Sequence, residues 1–202
     1  MEADFHRLLG QHCIVSTTRI FLEDVTREAE IRMLDEDLPK AIELIRTTAP
    51  DVVVFGCTSA GAIGKLGIGE MIERGTGAAA VTVLSAVLGQ LQSIGPRKLA
   101  VFTPYIEDLT QRVAASVAEA GFPPIRASGM GIRANLDIGR VAPAEIISFV
   151  ESQIEGCSPD CVFLSCTNWR AIEAIEALQQ KLGIPIVSSN RAAIEAVRHM
   201  AA

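Results

Sequence analysis

Aromatic residues are scarce in this chain: one Trp, one Tyr and seven Phe among 202 residues. So few rings leave little with which to stack nucleic-acid bases. Positive charge is also in deficit, with 18 Lys and Arg against 24 Asp and Glu and a net charge of −6. That balance argues against a nucleic-acid partner or a membrane patch. There are three histidines, His6, His12 and His199; all lie on or beside predicted helices, away from the carboxyl tip of any strand, so no Ser-His-Asp set suggests itself. No CxxC pair, GxGxxG or Walker spacing occurs; Gly61-Ala-Ile-Gly64-Lys65 is glycine-rich but wrongly spaced for a phosphate loop. The opening residues, Met1–Arg7, are charged and lack the order of a secretory signal. The longest uncharged stretch, Gly75–Pro96, is interrupted by Gly77, Gly89, Gln90, Gln92 and Gly95. It reads as a strand and a buried helix, not a membrane span. The five cysteines, Cys13, Cys57, Cys157, Cys161 and Cys166, are an odd number without a secretion signal and point to reduced thiols. The expectation is a soluble, cytoplasmic chain.

What is present is apolar and alternating. Hydrophobic residues make up 49%, enough for one large domain or two small ones. Short β-branched runs predict strands at Cys13–Thr17, Val52–Gly56, Ala78–Val81, Leu99–Thr103, Ile125–Ser128, Cys161–Ser165 and Ile184–Val187. Between them, helical patterns cover Glu2–Leu9, Glu28–Thr47, Gly69–Arg74, Val83–Ile94, Glu107–Ala120, Pro143–Glu155, Ala171–Lys181 and Arg191–Met200. Continuous apolar strands separated by helices predict an α/β fold with parallel sheets covered on both faces.

An internal repeat organises these elements. Asp51-Val-Val-Val-Phe-Gly-Cys57-Thr58-Ser59 aligns with Asp160-Cys-Val-Phe-Leu-Ser-Cys166-Thr167-Asn168 at an offset of 109, and Gly77–Thr82 aligns with Gly183–Ser188 at an offset of 106. Two pseudo-symmetric halves follow, one from residues 1–95 plus 184–202 and the other from 96–183. The repeat also leaves a gap. The counterpart of the strand Leu99–Thr103 falls before residue 1, so the first strand of the N-terminal half is expected to be missing, with the chain starting roughly 15–20 residues late.

Cys57 and Cys166 therefore occupy equivalent places where a buried strand gives way to a polar turn. Thiols there point out of the carboxyl edge of a sheet, where open α/β folds bind ligands. Nearby N–H groups favour the thiolate, and the hydroxyls of Thr58, Ser59 and Thr167 with the Asn168 amide suit carboxylate oxygens. Cys13, Cys157 and Cys161 read as core filler. A zinc site from Cys157, Cys161 and Cys166 lacks both the spacing and a nearby His; no metal and no cofactor is expected. Tyr105, the lone Tyr, follows a strand tip and reads as a site residue. Arg19 and Arg140 read as carboxylate clamps or surface groups, and Glu28–Thr47 as a solvated helix.

The motifs Phe55-Gly-Cys57-Thr-Ser-Ala-Gly61, Phe102-Thr-Pro-Tyr105, Gly129-Met-Gly-Ile-Arg-Ala-Asn135-Leu-Asp-Ile-Gly-Arg140, Ser165-Cys166-Thr-Asn-Trp-Arg170 and Val187-Ser-Ser-Asn190 resemble the maleate cis-trans isomerase and arylmalonate decarboxylase group of the aspartate/glutamate racemase superfamily. The resemblance implies two flavodoxin-like halves with the active site between them, no cofactor, and Cys57 and Cys166 as the catalytic pair. It also implies Thr58, Ser59, Tyr105, Thr167 and the backbone after Cys166, at Thr167 and Asn168, as carboxylate and oxyanion binders, with Asn135 as a further contact. It further implies a first strand and an Asn-bearing loop that have no match here, and a homodimer as the assembly. Arylmalonate decarboxylase keeps only the second cysteine, so two thiols favour an isomerase acting on a small dicarboxylate, maleate to fumarate. A two-thiol amino-acid or hydantoin racemase, a decarboxylase-like enzyme and an inactive small-anion binder are the alternatives.

Overall fold

The structure, a computed structural model, describes residues 1–10, 13–64 and 67–200. Its strands are the short runs of β-branched and apolar side chains: β1 (Val52–Phe55), β2 (Ala79–Thr82), β3 (Leu99–Thr103), β4 (Pro124–Gly129), β5 (Cys161–Leu164) and β6 (Ile186–Ser188). They form two sheets, β1-β2 and β4-β3-β5-β6, and every pairing is parallel. Parallel neighbours need crossovers. The helices are α1 (Glu2–Leu9), α2 (Arg27–Arg32), α3 (Leu38–Arg46), α4 (Thr58–Gly64), α5 (Gly67–Thr76), α6 (Val83–Ile94), α7 (Glu107–Glu119), α8 (Asn135–Arg140), α9 (Pro143–Ile154), α10 (Ile172–Leu182) and α11 (Ser189–Met200), of which α4, α5 and α7 to α10 lie in the crossovers. Among the described residues no helix is long and apolar enough to cross a membrane.

The repeat survives to the level of register. Offsets of 109 and 106 carry the pair Val53↔Ala80 of the small sheet onto Val162↔Ile186 of the large one, and Val54↔Val81 onto Phe163↔Val187. The described part of the tail, 184–200, is divided between the two sheets. Its strand β6 pairs with β5, which corrects the assignment of that strand to the N-terminal half. Its helix α11 reaches the other way, with Gln90 Nε2 donating to Glu195 Oε2 at 3.0 Å and Arg198 to the Leu8 carbonyl at 2.8 Å.

In the large sheet β5 has β3 on the side away from β6. The corresponding edge of β1 carries no strand among the described residues. It faces a cavity of about 1260 Å³ that Ile14, Val15 and Thr17 also line. The predicted strand Cys13–Thr17 is accordingly irregular, because an extended segment without a ladder partner is not a strand.

The single helix predicted over Glu28–Thr47 is broken into α2, a π-helical turn over Met33–Asp37 in which the Leu38 N–H donates to the Met33 carbonyl, and α3. Pro39 is the cause: it lacks an N–H and its ring crowds the carbonyl four residues back, so the preceding turn widens. Helices α4 and α8 were not expected, since Gly61, Gly64 and Gly139 weaken a helical pattern. Packing overrides this in α4, where Ala60 is fully buried and a Cβ at Gly61 would lie 3.3 Å from Leu84. The main core surrounds the large sheet, and a smaller one gathers Met33, Leu34, Leu38, Ile42, Phe55 and Ile72 beside the small sheet.

Candidate active site

The two repeated strands deliver their cysteines to one place. Cys57 follows β1 by two residues and Cys166 follows β5 by two, at the carboxyl ends where parallel sheets open. Both line the cavity, together with Ser59, Tyr105, Asn135, Thr167 and Asn168. Thr167 fastens the two ends to each other: its hydroxyl donates to the carbonyl of Gly56, the residue before Cys57, at 2.7 Å.

Cys166 is 5% exposed. Burial pushes its thiol up, while the Tyr105 hydroxyl and the N–H groups of Asn168 and Trp169 pull it back towards ionisation; the Asn168 N–H lies 3.3 Å from the sulfur. Tyr105 is itself buried, which raises its hydroxyl well above the usual range and keeps it a donor. Its backbone is pinned, with its N–H donating to Thr103 Oγ1 at 3.1 Å and its carbonyl accepting from the Gly131 N–H at 3.0 Å. The close approach requires glycine at 129, where a Cβ would stand 2.3 Å from the Tyr105 carbonyl oxygen. Tyr105→Phe removes a hydrogen bond to the thiolate. It is expected to slow iodoacetamide alkylation of Cys166 at mildly alkaline pH by about tenfold; an unchanged rate would mean that the hydroxyl does not act on the sulfur.

Cys57 keeps part of its surface open. Its Sγ lies 3.7 Å from Ser59 Oγ and 3.9 Å from Glu30 Oε1, and the Ser59 hydroxyl donates in turn to Glu30 Oε1. Burial pushes the Cys57 thiol up and the Glu30 carboxylate pushes it further; the Ala60 N–H and Ser59 oppose them. Glu30 is fully buried on α2. Burial lifts its carboxyl to about 7 against the smaller opposing effect of Ser59 and Cys57, and its Oε2 has no hydrogen-bond partner among the described residues. The sequence reading missed Glu30 by treating its helix as a solvated face. A signal was available: Glu30 stands three and four residues before Met33 and Leu34, both buried, so helical phase places it on the apolar side.

This carboxyl has a consequence for stability. Because the folded state binds the Glu30 proton more tightly than the unfolded chain does, its contribution falls as pH rises from about 4.5 to about 7, by on the order of 3 kcal/mol. Urea unfolding across that interval is expected to show the decline, and Glu30→Gln to flatten it; identical slopes would place the carboxyl in water.

The other expected residues are placed as follows. Thr58 is fully buried and does not line the cavity; its hydroxyl donates to Ser189 Oγ at 2.8 Å, so that hydroxyl is committed to the framework. Asn168 donates to the Asn135 carbonyl and Oδ1 at 2.7 and 2.9 Å, and Asn135 donates to the Leu22 carbonyl at 3.0 Å. These two amides join the rim of the cavity to each other and to the segment before α2. Arg19 and Arg140 are exposed and paired with Glu2 and Asp137, the surface reading. His6 and His199 are exposed, and His12 lies outside the described residues. Of the three cysteines read as core filler only Cys161 is buried. Cys13 is exposed on the irregular segment, and Cys157 accepts from Arg126 Nε at 3.2 Å.

The chain that builds this site has known relatives. The family model described as arylmalonate decarboxylase matches residues 13–202. An arylmalonate decarboxylase of Bordetella bronchiseptica is 29% identical over 182 residues, 88% of this chain and 76% of the relative. A maleate isomerase of Geobacillus stearothermophilus is 25% identical over 183 residues, 86% of this chain and 72% of the relative. Among solved structures, a double mutant of arylmalonate decarboxylase in its liganded form superposes with a TM-score of 0.91 at 26% identity, covering 100% of this chain and 87% of its own. A cysteine-to-serine mutant of the Nocardia farcinica maleate cis-trans isomerase, holding a covalently bound succinylcysteine intermediate, has the same fold, with a TM-score of 0.89 at 18% identity over 97% of this chain and 85% of its own.

Proposed function

Since the chain belongs to the arylmalonate decarboxylase family, we propose that it is a cofactor-independent isomerase that converts a small cis-dicarboxylate, maleate, to its trans isomer, fumarate, with Cys57 and Cys166 as the catalytic thiols. One observation carries the reading: both thiols line a single cavity at equivalent strand ends, so two sulfurs approach one bound molecule from separate elements.

The chemistry follows from the environments. Cys57, half-open to the cavity, adds through its sulfur to one alkene carbon, and the π pair moves to the other carbon, held by the adjacent carboxylate as an enediolate. Cys166, next to the Tyr105 hydroxyl and two N–H groups that steady its thiolate, gives its proton to that carbon and later takes it back. The bond between the two carbons is single in the adduct and rotates. Removal of the proton and departure of the Cys57 sulfur then restore the double bond in the trans arrangement. The adduct is a succinylcysteine, the species named for the Nocardia farcinica mutant. Ser59 is the side chain among those expected to bind carboxylate that sits beside Cys57 on the cavity wall.

Proton NMR of the protein in D₂O with maleate tests the reading, and fumarate is the expected product. Parallel samples with aspartate, a hydantoin and phenylmalonate separate the alternatives. Deuterium entering an α position would replace the isomerase with a racemase, and phenylacetate with a decarboxylase. Maleate left unchanged would overturn the proposal.

A further inference from the structure

We infer that Glu30 is the proton acceptor for Cys57: its carboxylate draws the thiol proton through the Ser59 hydroxyl as the sulfur attacks, and returns it as the sulfur leaves. The inference deepens the proposed function and rests on its choice of Cys57 as nucleophile.

The three polar atoms form a closed triangle. Cys57 Sγ is 3.7 Å from Ser59 Oγ, whose hydroxyl already donates to Glu30 Oε1, and Oε1 itself is 3.9 Å from the sulfur. A carboxyl that is wholly buried normally has a cation or a full set of hydrogen bonds. Among the described residues Glu30 forms no ion pair with Lys or Arg, and Oε2 is unpartnered. The titratable groups facing it are Cys57, with Tyr105 and Cys166 across the cavity; Arg27, Glu28 and Arg32 of its own helix are exposed. What surrounds Glu30 is thus a hydroxyl and a thiol, with nothing to hold it permanently ionised.

That setting matches a base for a partly buried thiol. Cys57 is pushed up and ionises poorly alone. A carboxyl lifted to about 7 is close to the optimum for taking a proton at neutral pH. The step balances internally. The Cys57 proton passes to Ser59 Oγ as the Ser59 proton passes to Glu30 Oε1; the sulfur pair forms the C–S bond and the alkene π pair moves to the neighbouring carbon. Elimination reverses each transfer, leaving Glu30 ionised and ready for the next turn.

The test needs no substrate, so it separates this inference from the isomerase reading. The rate at which iodoacetamide alkylates Cys57 is followed by peptide mass spectrometry against pH in a Cys166→Ser background, with folding checked by thermal melting. With Glu30 present, the rate is expected to rise through an inflection near 7. Glu30→Gln keeps an acceptor for Ser59 but takes no proton; it is expected to slow alkylation at neutral pH by about tenfold or more and to erase the inflection. Glu30→Asp is expected to restore part of the rate. Ser59→Ala removes the relay and leaves only the direct 3.9 Å contact between the Cys57 sulfur and Glu30 Oε1; it should slow alkylation by less than Gln does, and an unchanged rate would overturn the relay if the Gln variant does not fold. Faster or unchanged alkylation in folded Glu30→Gln would overturn the inference, because removing a neighbouring negative charge by itself makes a thiolate easier to form. Maleate left unchanged by a protein that shows the Glu30 dependence would sink the isomerase and leave the proton acceptor standing.

Discussion

Cys57→Ala is expected to lower maleate-to-fumarate conversion by at least about 10⁴-fold, since no other group then forms the bond that turns the alkene into a rotatable single bond. The second sulfur does not compensate. Cys166 is 5% exposed and its contacts, the Tyr105 hydroxyl and two backbone N–H groups, suit a group that stores and returns a proton. Cys166→Ala is expected to cost less, about 10²- to 10⁴-fold, the range for loss of one acid–base group. The two variants also differ in kind. With Cys166 replaced by Ser, adduct formation at Cys57 continues while release slows, so the intact protein should gain the mass of one maleate, a gain that Cys57→Ala removes. Rates and mass spectra read both effects. Full activity in Cys57→Ala would end the covalent scheme, and equal loss with no adduct in either variant would point to proton transfer by two thiols, a racemase.

Trp169→Ala is expected to be the most destabilising single change near the site, by about 3–5 kcal/mol, with a fall in Tm of roughly 10 °C for a chain of this length. Trp169 is 1% exposed. Its ring meets Phe149 edge-on at 6.4 Å, and Phe149 meets Phe102 of β3 at 6.1 Å, so three rings tie the turn after Cys166 to an inner strand of the large sheet. Its backbone N–H also faces the Cys166 sulfur, which makes loss of the ring a loss of order at the thiol. Trp169→Phe should retain most of the stability. It keeps an aromatic contact with Phe149 and removes an indole N–H that is buried with no partner among the described residues. Urea unfolding measures both; a midpoint unmoved in Trp169→Ala would show that the turn is held by other contacts.

The legible part of this protein was the part written in local periodicity. Glu2–Leu9, Val83–Ile94 and Leu99–Thr103 appear with the expected ends, because an amphipathic phase or a run of β-branched residues is a property of adjacent positions. The repeat was legible for the same reason, and it carried real information about register. The irregular segment at Cys13–Thr17 shows where locality stops: its composition suits a strand, yet a strand needs an edge to pair with. The π turn before Pro39 is an intermediate case, since the proline was visible and the helix around it could either end or widen.

By itself, then, the sequence determined the alternation of parallel strands and helices and the equivalence of the Cys57 and Cys166 strand ends. The tertiary structure alone decided which side chains meet. It turned the Thr58 hydroxyl to Ser189, spent Asn135 and Asn168 on each other, sent Thr167 back to the Gly56 carbonyl, and brought Glu30 from a separate helix against Cys57. Those meetings join residues 27 to 131 positions apart. A side chain's partner at that separation depends on how helices seat on sheets, and a titratable group takes its character from the burial and neighbours it finds there.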